Sequence, residues 1–356
     1  MATIFSNYAF DHSNLDLNRF YENAIAFDHS DFDSVLQDNY LGAYNDVTYT
    51  DLFVVDWSLN GYDYGSVFGG LNINFNTSLL TITGTVTGYI ETVWTGKTYE
   101  GIWGIEGVNI DAADIYATAT TVSTSDDFAI INAALSEADV FNLSGSGDRA
   151  FGYGGNDIMT GYAGNDELDG GNNNDKLYGG NGNDKLYGGN GKDKLYGNNG
   201  HDVLNGDKGF DFLNGGKGND VLNGGKGNDL LQGGKGKDVM LGGTGEDTFV
   251  FKNTSESKFK LSKADVIEDF QQGLDVIDLS AIDASTVLVG NDTFSFNGTT
   301  KFGSGDEGEI YFKKFDKAGT ENDYTMAFID TDGDTGREMS IRLTGLYDLT
   351  VDDFIL

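Results

Sequence analysis

From residue 148 to residue 250 the hydrophobic and polar positions repeat every nine residues. Aspartate recurs at Asp148, Asp157, Asp166, Asp175, Asp184, Asp193, Asp202, Asp211, Asp220, Asp229, Asp238 and Asp247. Two positions after each, from Met159 to Phe249, stands an apolar side chain, most often leucine. Each aspartate closes a glycine-rich hexapeptide such as Gly179-Gly180-Asn181-Gly182-Asn183-Asp184. The unit is therefore G-G-x-G-x-D-x-U-x, with U apolar, in eleven good copies from Gly152 behind a degenerate lead-in at Asp148. A linker has no need to keep such a register. One apolar residue per unit predicts a short strand with a single inward side chain. The glycines predict turns at positive φ, their carbonyls facing inward. Two units make one coil, which puts Asp157, Asp175, Asp193, Asp211, Asp229 and Asp247 on one edge. Asp166, Asp184, Asp202, Asp220 and Asp238 fall on the other, and the rows are expected to end at Asp247 and Asp238.

The flanking patterns differ. Ser13 to Phe27 places Leu17, Phe20, Tyr21, Ala24 and Ile25 on one helical face, and Asp126–Ala138 does the same with Phe128, Ile131, Leu135 and Ala138. Asp51–Ser58 and Leu71–Trp94 alternate as strands do, so residues 1–143 read as an α+β domain with a twisted antiparallel sheet. The second helix is expected to cover the open end of the first coil. Residues 144–250 form the repeat block and residues 251–356 a β-rich cap. The fold class expected is mainly β: a parallel β-roll between an N-terminal α+β domain and that cap.

Composition sharpens this picture. The chain has 57 acidic and 22 basic residues, a net charge of −35, with no cysteine and no proline. Without thiols there is no disulfide framework and no thiolate metal site. The negative charge excludes nucleic acid as a partner and argues against docking on anionic lipid. No apolar run is long enough to insert in a bilayer, and Met1–Phe10 lacks the n- and h-regions of a secretory signal.

Carboxylates stacked at the inter-strand spacing of ~4.8 Å repel one another unless a cation lies between them. Oxygen-only ligands of mixed carboxylate and carbonyl type suit calcium better than magnesium. The metal ligands expected are the eleven aspartates of the two rows, with the turn residues Gly155, Gly164, Gly182, Gly191, Gly200, Gly209, Gly218, Gly227, Gly236 and Gly245. The repeats resemble the repeats-in-toxin (hemolysin-type) calcium-binding β-roll. Tyr153, Tyr162, Asn198 and Asp207 stand in place of the second glycine, and Asn173 in place of the fourth-position one. Ladders are expected on the outer faces, Tyr178 on Tyr196 and Asn205 on Asn223. Lys208, Lys217, Lys226 and Lys235 read either as a basic stripe for an acidic partner or as a solubilising edge.

The segment after the repeats resembles the C-terminal domain of serralysin-like proteases and other type I secreted proteins. The letters that carry this are Asp265-Val266-Ile267-Glu268-Asp269-Phe270, Gly273-Leu274-Asp275-Val276-Ile277-Asp278-Leu279-Ser280 and the closing Asp352-Asp353-Phe354-Ile355-Leu356. The resemblance implies export by type I secretion machinery, a C-terminal signal and an extracellular or cell-surface location. Absent cysteine and proline fit a chain that is threaded unfolded. At Kd ~10⁻⁴ M, millimolar calcium stabilises by about 1.4 kcal/mol per site, a term absent at cytosolic calcium. Asp330-Thr331-Asp332-Gly333-Asp334 is a small acidic loop that reads either as a further calcium site completed by Glu338 or as a solvated turn. It lacks the glycine and glutamate of an EF-hand.

No H-E-x-x-H and no G-x-S-x-G occurs, which leaves out the zinc protease and the serine-hydrolase elbow. A non-enzymatic binding or assembly protein, taking glycans or copies of itself, is the reading expected. Its alternatives are a haem or small-ligand carrier using His29 with Tyr40, Tyr44 or Tyr49, and an extracellular hydrolase with an unrecognised site in residues 1–143.

Overall fold

The computed structural model describes residues 135–284, 293–301, 308–317, 323–332 and 337–356, and before residue 135 the backbone of six strands. The chain divides into two compact units, Met1–Ala163 and Gly164–Leu356.

In the first unit the strands are β1 (Thr3–Ser6), β2 (Ala24–Ser30), β3 (Asp51–Leu59), β4 (Tyr62–Asn76), β5 (Thr81–Trp94), β6 (Tyr99–Asp111), β7 (Val140–Asn142), β8 (Arg149–Phe151) and β9 (Ile158–Thr160). Strands β2 to β6 pair antiparallel in chain order, and β1 lies antiparallel to β6. β1 also pairs parallel with β7, and β7 with β9, which changes the sheet from antiparallel to parallel. The antiparallel sheet expected of residues 1–143 is present.

The helices expected there are corrected where they can be seen. Ala24–Phe27 lies in β2, which pairs antiparallel with β3 with a register shift between Ala24 and Ala26. Leu135–Ala138 is a turn rather than the end of a helix. The next residue, Asp139, is already committed to the roll, its N–H donating to Asp157 Oδ1 at 2.7 Å. The remainder of both predicted helices (residues 13–23 and 126–134) lies outside the described residues. The expected run Leu71–Trp94 is two strands, β4 and β5, paired as a hairpin.

The second unit is the roll and its continuation. Its repeat strands are β10 (Glu167–Asn172), β11 (Lys176–Asn181), β12 (Lys185–Gly191), β13 (Lys194–Asn199), β14 (Val203–Gly209), β15 (Phe212–Gly218), β16 (Val221–Lys226), β17 (Leu230–Gly236), β18 (Val239–Thr244) and β19 (Thr248–Val250). Each pairs in parallel with the strand two further on, so even and odd strands build opposite sheets. The pairing offset is one 18-residue coil: Leu186 faces Leu204, and Leu195 faces Leu213. The inward residues Leu168, Leu177, Leu186, Leu195, Leu204, Leu213, Leu222, Leu231, Met240 and Phe249 are all 0% exposed. These side chains stack into a thin core. Leu204→Ala is expected to cost about 2–5 kcal/mol, seen as a lower urea midpoint in calcium at unchanged m.

The outer faces carry the expected ladders. Tyr178 and Tyr196 stack at 5.0 Å with an interplanar angle of 7°, and Asn223 Nδ2 donates to Asn205 Oδ1 at 3.5 Å. The lysines do not form one stripe. Lys208 pairs with Lys226 on the even sheet, and Lys217 with Lys235 on the odd one, because successive repeats face opposite sides.

Beyond the repeats, β20 (Asp265–Ile267) continues the even sheet beside β18, and β21 (Val276–Asp278) continues the odd sheet beside β19. Four more strands follow: β22 (Ser295–Phe296), β23 (Glu309–Phe315), β24 (Tyr324–Asp330) and β25 (Met339–Thr344). β25 pairs parallel with β20 and antiparallel with β24, which pairs antiparallel with β23. A 3-10 turn at Val351–Asp353 then leads into β26 (Phe354–Ile355), which closes on β21. Among the described residues no helix is long and apolar enough to cross a membrane.

Candidate metal centre: two rows of buried aspartates

The turns before each repeat strand depend on backbone that most residues avoid. Of the ten predicted turn glycines, all but Gly191 have φ between 120° and 157°. The five substituted positions also take positive φ, at lower values: Tyr153 (63°), Tyr162 (67°), Asn173 (76°), Asn198 (74°) and Asp207 (68°) are the non-glycine residues with positive φ among those described. The departures from the repeat consensus therefore keep positive φ.

These turns bring the aspartates into two rows with one repeating contact. In the second unit the N–H of each aspartate donates to Oδ1 of the aspartate one coil further on. Asp184 N–H bonds Asp202 at 2.9 Å, Asp193 bonds Asp211 at 2.8 Å, and Asp202 bonds Asp220 at 2.9 Å. Asp166, Asp175, Asp211, Asp220 and Asp229 repeat the pattern. Oδ2 has a different fate. In Asp184, Asp193, Asp202, Asp211, Asp220, Asp229, Asp238 and Asp247 it is buried and accepts no hydrogen bond. It lies over the glycine five residues earlier: a Cβ on Gly179 would come within 2.4 Å of Asp184 Oδ2, and one on Gly197 within 2.4 Å of Asp202 Oδ2. The repeat thus keeps side chains away from a line of bare carboxylate oxygens.

Burial is the main cause that raises the pKa of these carboxyls. It pushes Asp193, Asp202, Asp238 and Asp247 up to about 6, Asp220 to about 7 and Asp211 to about 8. The N–H bond at Oδ1 pulls each back, and neighbouring carboxylates raise Asp211 and Asp220 further. Asp157, in the first unit, is raised to about 7 for the same leading reason. A buried anion needs a partner of opposite charge, and the donor set here is oxygen only. That set fits a hard divalent cation such as calcium.

Residues 148–356 match the family described as Peptidase M10 serralysin C terminal. The chain belongs to that family. Its serralysin-type domain is a β-roll bearing an aspartate ladder typical of calcium-binding repeats. Two solved structures from Azotobacter vinelandii are similar, both subunits of a mannuronan C5-epimerase. AlgE6R3 is 24% identical and matches over 52% of this chain and 78% of that one, with a TM-score of 0.23. AlgE6R2 is 27% identical over 46% and 87%, with a TM-score of 0.26. No curated protein matches the chain in sequence.

In this serralysin-type domain the rows do not end where the repeats end. Asp238 N–H donates to Asp265 Oδ1 at 2.9 Å, and Asp247 N–H to Asp275 Oδ1 at 3.1 Å. Asp247 is therefore not the end of its row. In the first unit Asp139 stands before Asp157 in the same way. The nine-residue spacing would have found Asp139, eighteen before Asp157 in the same row, but it would have set Asp265, eighteen after Asp247, in the wrong row, since the structure places it 27 residues after Asp238. Both also keep the apolar residue two positions later, Phe141 and Ile267, each 0% exposed. What hides them is the loss of the glycines. Asp269 is used differently, its carboxylate accepting the N–H groups of Gly242 and Gly243 at 2.9 Å.

The acidic loop near the C-terminus is also assembled: single oxygens of Asp330, Asp332 and Glu338 lie within 4.8 Å of one another. Glu338 accepts the Thr331 N–H at 2.8 Å, and Asp334 lies outside the described residues. The side chain of His29 and the residues Tyr40, Tyr44 and Tyr49 lie outside them as well.

Proposed function

We propose that this chain is a secreted calcium-binding protein whose roll folds when calcium occupies the two aspartate rows. The observation that carries the reading is the set of eight buried Oδ2 atoms, from Asp184 to Asp247 and four in each row, that accept no hydrogen bond. The residues that would hold the ions are the aspartates of both rows and the carbonyls of the turn glycines named above. Calcium, when bound, supplies the positive charge that offsets the burial and mutual repulsion of these carboxylates. The chain's own part is to hold Oδ1 on a backbone N–H, to leave Oδ2 bare, and to exclude water behind the leucine core. Extracellular calcium then separates a folded outside state from an open inside one, as export by type I secretion machinery requires. Beyond the roll, the chain acts as a non-enzymatic binding or assembly protein at a cell surface or in an extracellular matrix. Support for this comes from the absence of zinc-protease and serine-hydrolase motifs and from the acidic, aromatic-rich composition of residues 1–143.

Circular dichroism of the full chain at pH 7.5 is the test. Millimolar calcium is expected to add a large β signal to the spectrum recorded in EGTA, with several ions bound per chain. A roll that is equally β-rich in EGTA, with no calcium taken up, would falsify the reading.

A further inference from the structure

Two turns that leave the odd sheet carry the dipeptide Asn-Gly, at Asn181-Gly182 after β11 and at Asn199-Gly200 after β13. The glycine is imposed by the fold. Gly182 and Gly200 have φ of +135° and +146°, and a Cβ on either would fall 1.5 Å from a carbonyl oxygen one coil earlier. The asparagine is not imposed, because the next two places in the same register are Lys217 and Lys235.

An asparagine followed by glycine is open to deamidation, since no side chain hinders the glycine nitrogen. That nitrogen attacks the asparagine Cγ, and the new N–C bond closes a five-membered succinimide. The side-chain nitrogen leaves as ammonia, taking the proton that the attacking N–H gives up. Water then opens one of the two imide C–N bonds, leaving aspartate or isoaspartate. In the folded roll both reacting groups are held. Gly182 N–H donates to the Asn199 carbonyl at 2.9 Å, and Gly200 N–H to the Lys217 carbonyl at 2.8 Å. Asn199 Nδ2 donates to Asn181 Oδ1 at 3.0 Å, so the two side chains brace each other along the sheet. Ring closure would swing the nitrogen off its carbonyl and the side chain off its neighbour. It is open only to a chain whose coils have come apart.

We propose that Asn181 and Asn199 are sites of spontaneous deamidation in the calcium-free chain, and that calcium-driven folding shuts them. This rests on the calcium reading above and adds a chemical consequence to it. Isoaspartate at either place carries the main chain through Cβ, one carbon longer, just before the turn that sets Asp184 or Asp202 in its row. The lengthened turn meets a stack with no room for even one added carbon. A chain held without calcium therefore ages into one that no longer builds the roll.

The experiment uses the full chain in mildly alkaline buffer, in EGTA and in millimolar calcium, with heavy-oxygen water to mark each converted residue. Peptide mass spectrometry is expected to show Asn181 and Asn199 converting in EGTA at the pace of a short Asn-Gly reference peptide. In calcium the conversion is expected to be at least ~10-fold slower, because reaction waits on opening of the coils. Circular dichroism follows the same samples after return to calcium, and the β signal recovered is expected to fall as conversion grows. Three outcomes would each overturn the proposal while leaving calcium binding intact. They are equally fast conversion in both solutions although calcium folds the roll, no conversion in an EGTA sample whose spectrum is unfolded, and full recovery of β signal by extensively converted chain. A chain that calcium does not fold would instead remove the reading on which the proposal rests.

Discussion

Gly209→Ala is expected to break the roll at its middle and to raise the calcium concentration needed for folding by more than tenfold. Gly209 has φ +150°, and a Cβ built on it falls 1.4 Å from the carbonyl oxygen of Gly191, one coil earlier. No rotamer change relieves this contact, because a Cβ is fixed by its own backbone. The obstructing atom is also backbone, paired in register with the strand that carries Gly209. The same close stacking recurs one coil on, since a Cβ on Gly227 would lie 1.4 Å from the Gly209 carbonyl oxygen. One methyl group must therefore displace at least two coils, a loss on the order of 4 kcal/mol or more. In an array where each coil touches only its neighbours, such a defect uncouples the two flanks. Gly145→Ala is the matched control, as nothing lies within 4 Å of its added carbon. Calcium titrations of both variants followed by circular dichroism decide the matter. A Gly209→Ala protein with the wild-type midpoint would show that the turns do not stack as described.

A second large effect is expected from pH in the absence of metal. Burial raises Asp193 and Asp202 to about 6, Asp220 to about 7 and Asp211 to about 8, all above their unfolded range near ~4. The folded state thus holds protons that the unfolded chain releases. For such groups the stabilisation is complete below the unfolded pKa and is lost as pH rises through the folded values. The metal-stripped chain should accordingly be most ordered near pH 4–5 and lose its β signal between about pH 5 and 8. Calcium at pH 7.5 should restore it, with protons released on binding over the same window. Protonation and calcium are then alternative ways to neutralise the same buried oxygens. The measurement needs protein stripped on a chelating resin, because EGTA binds calcium weakly in acid. A stripped protein more ordered at pH 8 than at pH 5 would show that the rows are not buried in the metal-free fold.

Much of the second unit is legible in the letters, because nothing competes with the period. Each nonapeptide contributes one inward residue, one aspartate and a turn, so strand, row and core follow from counting. Tyr153, Asn173 and Asp207 show the same rule at its margin. They break the consensus but keep positive φ, so a pattern read as conformation survives where a pattern read as residue names fails. The row ends were harder. Asp265 keeps the nine-residue count, but by coils of 18 it follows Asp247, whereas pairing of β20 with β18 sets it after Asp238; Asp275 is one residue off the count, so their places depend on which strand pairs with β18 and β19. Ala24–Phe27 shows the opposite weakness. Its apolar residues fit either a helical face or a strand, and pairing with β3 decides.

A stack of near-identical coils in parallel register has no intrinsic length, since the last coil presents to solvent the same template that received it. In this chain that template is withdrawn on the C-terminal side. The odd sheet passes through β21 to β26 and the even sheet through β20 to β22, each finishing among the described residues on a strand of two residues, Phe354–Ile355 and Ser295–Phe296. Two residues offer too few backbone groups to seed a neighbour's strand. The C-terminal segment therefore acts as a chain terminator for the roll. It fixes the number of coils and bars end-on growth of one molecule upon another at that end.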